Sequence, residues 1–169
     1  MTEEIIKEFV EQSIYRMEES TRMINKCYAE VSEQEIWIQP NNSSNSIGNL
    51  ILHLCGNIRQ YVISSLGGKE DIRERNKEFT EKGYSKNELI EKLISTLQEA
   101  KTVIRSANPT ALLRKRNVQG FHFSGIGIII HVTEHYSYHT GQIALLTKLL
   151  KDKDLGFYRG TDLTIKNQE

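Results

Sequence analysis

The sequence predicts an all-α protein built as a four-helix bundle. Three observations carry this: apolar residues recur at three- and four-residue spacing over long stretches, only two prolines occur in 169 residues, and capping and stop signals divide the chain into four long segments. In the first, Ile5, Ile6, Phe9, Val10, Ile14, Met17, Ile24 and Tyr28 mark one face of a helix from about Glu3 to Val31. A stretch rich in turn residues, Trp37 to Ser46, follows, and Asn45 or Ser46 caps a second helix that runs to about Ser65, where Gly67 and Gly68 stop it. A charged connector, Asp71 to Glu78, comes next.

Ser85 and Glu88 form a capping box, with Tyr84 and Leu89 placed as a hydrophobic staple. The third helix ends at Asn108-Pro109, because proline disfavours helix in the residue before it. Arg114 to Phe123 reads as irregular or as a short extended pair. The fourth helix starts near Ser124 and ends around Asp152–Gly156, spanning about 42 Å for roughly 28 residues. Gly125 and Gly127 weaken its first turn. No internal repeat or second domain is visible, so residues 1–169 read as a single domain.

Composition narrows the function. The 22 Lys+Arg balance 22 Asp+Glu with no long run of one sign, so the electrostatic footprint of a nucleic-acid binder is missing. The longest apolar run is too short to span a membrane, and the acidic N-terminus does not resemble a signal peptide. Two cysteines, Cys27 and Cys55, make no disulfide framework and fit a reducing compartment, so the expectation is a cytoplasmic protein.

The chemistry concentrates in His131, His135 and His139. Each step of four residues turns a helical side chain by only about 40°, so the three lie on one stripe, together with Ile128, Val132, Ile143 and Leu146. Neutral imidazoles on a core-facing stripe need partners, and a metal ion satisfies several at once. His53 on the second helix is the natural further donor. Asn49, Asn57 and Gln60 fall within about 40° of it on a regular wheel, a polar stripe that reads as the wall of a cleft, whereas Cys55 is turned about 160° away and cannot share its metal. Asn57, Gln60 and Gln142 are the candidate ligand-binding residues; Gln142 lies near His135 on the wheel and either orients a ligand or water or bonds between helices. Trp37 and Tyr138 read as packing residues.

Two other patterns compete. His131-Val-Thr-Glu134-His135 matches the inverted zinc-peptidase motif, with Glu134 as general base, but Glu134 points about 100° away from His135 and so meets solvent or a neighbouring helix. Arg73 and Arg75 have the forks to bind an anionic substrate, yet the alternating signs around them favour a solvated connector tied to Glu70, Asp71, Glu74 and Glu78. Arg59 is turned roughly 120° from the His53 stripe. No carboxylate is clearly placed for acid–base work beside the histidines.

Four segments in order carry a family resemblance: Asn45-Ser-Ile-Gly-Asn-Leu-Ile-Leu-His53-Leu, Gly56-Asn-Ile-Arg-Gln60, Arg73-x-Arg75-x-x-Glu78-Phe79 and His135-Tyr-Ser-Tyr-His139-Thr-Gly-Gln142. With them the chain resembles the DinB-like superfamily of metal-binding four-helix bundles, and more closely one uncharacterised bacterial branch of it. The resemblance covers nearly the whole chain. It implies a divalent metal, zinc or nickel, held by His53, His135 and His139 with water at the open positions, and leaves His131 beside the site or in the core. It also implies a homodimer. Some members of the superfamily are thiol-dependent, so a metal-dependent S-transferase of the bacillithiol type, acting on a low-molecular-weight thiol, is the expected enzyme; a non-catalytic, metal-binding or stress-related bundle is the alternative. Metal binding would acidify the thiol and make it a nucleophile at neutral pH.

Overall fold

The computed structural model describes residues 1–167. Its long helices are α1 (Thr2–Glu30), α2 (Ile47–Ile58), α4 (Lys86–Ser106) and α6 (Gly125–Lys151). Short helices α3 (Arg75–Thr80) and α5 (Pro109–Leu113) and a hairpin of β1 (Lys115–Val118) and β2 (Phe121–Ser124) fill the connections. The long helices surround one apolar core, with α1 against α6 and α4, and α2 against α4 and α6.

Local chemistry sets the boundaries. Ser46 Oγ accepts the Asn49 N–H at 3.1 Å to start α2, and Ser124 Oγ accepts the Gly127 N–H at 3.1 Å to start α6. The Ser85–Glu88 capping box is formed in both directions. Val10, Ile14, Met17 and Ile24 of α1 are buried, as are Leu89, Leu93, Leu97 and Ile104 of α4. Inside the bundle the Tyr136 and Thr21 hydroxyls meet at 2.8 Å, joining α6 to α1. Trp37 lies against α2 over Gly48, where a Cβ would stand 2.6 Å from its ring.

Two regions depart from the expected layout. The helix that carries His53 continues beyond Ile58 in wider π-type turns, Arg59–Leu66. The charged connector contains α3, which lies against α2. Asn49 fixes it there, donating from Nδ2 to the carbonyls of Glu78 and Glu81, each at 3.0 Å. Asn49 is therefore buried and structural rather than part of a cleft wall. The hairpin turns through Gln119 and Gly120, at φ 52° and 81°, a two-residue connection with both residues left-handed.

Candidate metal centre

Buried α2 and the inner stripe of α6 bring His53, His135 and His139 together. One nitrogen from each lies within 4.8 Å of the others. His53 Nε2 and His135 Nε2 stand 3.0 Å apart, and the His53 and His139 ring centroids are 4.9 Å apart. His53 and His139 are buried, and His135 is partly so.

The far nitrogens are held from behind. His53 Nδ1 meets Glu78 Oε2 at 2.8 Å; a carboxylate there accepts a hydrogen bond from Nδ1–H, which leaves Nε2 with the free lone pair. Arg73 clamps the same carboxylate, Nε to Oε1 at 2.7 Å and Nη2 to Oε2 at 2.9 Å, and its Nη1 reaches Gln60 Oε1 at 2.9 Å. The Arg73 side chain is only 2% exposed. Burial pushes the Glu78 carboxyl up, but the hydrogen bonds from Arg73 and His53 outweigh it, and the group titrates below its ordinary range. On α6, His139 Nδ1 meets Gln142 Oε1 at 2.6 Å, and Gln142 Nε2 donates to the Tyr138 hydroxyl at 3.3 Å.

Burial, and then the neighbouring histidines, lower the His135 pKa to about 3. Burial also lowers that of His139, partly offset by Gln142. Both imidazoles are thus neutral at pH 7, the form that ligates a metal. A three-nitrogen set converging from two facing helices, with two of its outer N–H groups fixed, fits one divalent ion with open positions.

The remaining sequence candidates fall in distinct places. Gln142 contacts His139, and Gln60 joins the Arg73 end of the network while donating to Asp71 Oδ2 at 2.8 Å. Asn57 is buried four residues after His53, and its Oδ1 has no hydrogen-bond partner. His131 stacks on Tyr61 at 4.3 Å and on His135 at 5.6 Å, with a buried, unpartnered Nε2. Glu134 is exposed and lines a cleft of about 660 Å³ between α1 and α6 to which none of the three histidines contributes, so it is not placed as their base. Arg59 pairs with Glu99 on α4. Tyr138, read as a packing residue, is 61% exposed.

Sequence reasoning missed Glu78 as a partner of His53. It also took Arg73 for part of a solvated connector. Gly56 was the available signal. A Cβ there would stand 1.9 Å from Glu78 Oε1, so the carboxylate reaches His53 only across a bare stretch of α2.

A family profile described as "Protein of unknown function (DUF1572)" matches residues 4–160. A solved DinB-like protein, YjoA from Bacillus subtilis, superposes with a TM-score of 0.67 at 14% identity, covering 87% of this chain and 96% of that one. At that identity the likeness establishes a DinB-like fold. No match to a curated protein is found.

Proposed function

The chain belongs to the DUF1572 family, and we propose that it is a divalent-metal protein whose ion, zinc or nickel, is held by His53, His135 and His139 and which acts as a thiol S-transferase. The observation that carries the metal assignment is the convergence of three imidazole nitrogens with the His53 proton directed to Glu78. When bound, the ion supplies Lewis-acid activation of a thiol sulfur at neutral pH.

The protein's own residues prepare that chemistry. Glu78 fixes the His53 tautomer, and Arg73 neutralises the carboxylate so that it stays ionised while buried. Gln142 performs the first of these tasks for His139. Burial keeps the His135 and His139 imidazoles uncharged. Asn57 and Gln60 are proposed to contact the bound small molecule on the α2 side, and Gln142 on the α6 side. A homodimer and a single domain complete the reading.

The test is a screen of the metal-loaded protein with low-molecular-weight thiols and an electrophile, following thiol consumption and the conjugate by mass spectrometry. The reading expects metal-dependent conjugate that disappears in His135→Ala. Metal-loaded protein that leaves every thiol unconsumed returns the chain to the non-catalytic alternative. Light scattering at the mass of two chains supports the dimer, and a monomer removes it.

A further inference from the structure

A second cleft, about 420 Å³, opens between the π-type turns after α2 and the hairpin. Ser64 and Ser65 line one side of it, and Arg114, Arg116, Asn117 and Gln119 the other. It gathers two arginines against one carboxylate. Arg59 and Arg73 are matched by Glu99 and Glu78, but among the described residues neither Arg114 nor Arg116 enters an ion pair. Arg116 is fixed instead by carbonyls: its Nη1 donates to Ala111 O at 2.9 Å and to Arg114 O at 2.6 Å. Those bonds orient the guanidinium, and among the described residues its Nε and Nη2 have no hydrogen-bond partner. Partial burial, and then the Arg114 charge, hold the Arg116 pKa below its ordinary value, a cost that a bound anion relieves.

Among the described residues, Asp71 is the one acidic residue lining the cleft. Its oxygens are already engaged, Oδ2 by Gln60 Nε2 at 2.8 Å and Oδ1 by the Arg73 N–H at 3.1 Å. We infer that this cleft is an oxyanion site, which takes a carboxylate or phosphate group of a small molecule between Arg114 and Arg116, with the serine hydroxyls as additional donors. Two side chains join it to the histidines. Gln60 lines the cleft and holds Arg73, and Gln119 Oε1 accepts from the Tyr61 hydroxyl at 2.9 Å, whose ring stacks on His131. The inference stands on the cleft's own residues and not on a metal at the histidines.

The test therefore uses the full chain stripped of metal with a chelator and then dialysed. Inorganic phosphate and malonate are titrated by calorimetry at low ionic strength. Saturable binding of either anion is expected, weakening as sodium chloride is added. Arg114→Glu should weaken it by more than about tenfold, Arg114→Gln by about tenfold, and Arg105→Ala, on the surface of α4, should leave it unchanged. Arg114 makes no contact that the fold requires, so the circular dichroism of both Arg114 variants should match the parent. Phosphate binding alone assigns the site to phosphoryl groups, and malonate binding alone to carboxylates. Saturation by neither anion, or binding that survives Arg114→Glu in a folded protein, overturns the inference.

Discussion

His53 and His139 are both held at Nδ1, but by opposite means. Behind His53 stands a charged, buried assembly, with Glu78 at 2.8 Å and Arg73 clamped across both its oxygens. Behind His139 stands one neutral amide, itself tied only to the hydroxyl of a mostly exposed tyrosine. An ionised acceptor makes the stronger bond and raises the basicity of the ligand, but it must be kept charged in a dry place, and that requires Arg73. The amide needs no such support. One side of the site is thus rigid and costly to disturb, the other light and replaceable.

The largest break in this contrast is Glu78→Ala. It strands Arg73 as a buried unpaired charge, which costs about 3–5 kcal/mol of stability, and it should lower metal affinity by about 10–100-fold. Chemical denaturation and a competitive chelator titration read the two effects. Gly56→Ala should resemble it without removing a charged residue, because the new methyl would stand 1.9 Å from Glu78 Oε1 and push the carboxylate away. Unchanged stability and affinity in Gly56→Ala would count against the clamp as described.

Gln142→Ala tests the lighter side. Metal affinity should fall by about tenfold at most, the low end for such partners, and the denaturation midpoint should barely move. An effect on stability as large as that of Glu78→Ala would erase the distinction.

The smallest effect belongs to Glu35 and Lys151, 2.8 Å apart at the surface and a counterpart to the buried pair. Hydrogen bonding to Lys151, helped by Ser32 and opposed by slight desolvation, lowers the Glu35 pKa from 4.5 to about 2. A carboxylate depressed on folding stabilises the protein fully above its unfolded pKa, and that stabilisation fades as pH falls from about 4.5 toward 2. Glu35→Ala should therefore match the parent's melting temperature more closely at pH 2.5 than at pH 7, with a difference at pH 7 far below that of Glu78→Ala.

Much of this arrangement is legible in the sequence, because it is local. The caps at Ser46, Ser85 and Ser124, the apolar periodicity of α1 and α4, and the four-residue spacing of the α6 histidines all act within a turn or two of helix. His53 is separable from Cys55 on the same grounds. Glu78 is not local. It reaches His53 across 25 residues, from a six-residue helix whose alternating charges look solvated in one dimension. Its burial depends on Asn49 pinning the α3 carbonyls and on the missing side chain of Gly56. The π-type turns after Ile58 likewise carry no local signal that sequence periodicity could read.

Metal analysis of the purified chain and its histidine variants tests the central claim most directly. The account predicts that the parent and His131→Ala carry a full complement of divalent ion, and that His53→Ala, His135→Ala and His139→Ala each lose most of it. Full retention in the triple variant of His53, His135 and His139, or loss in His131→Ala alone among the α6 histidines, would contradict it.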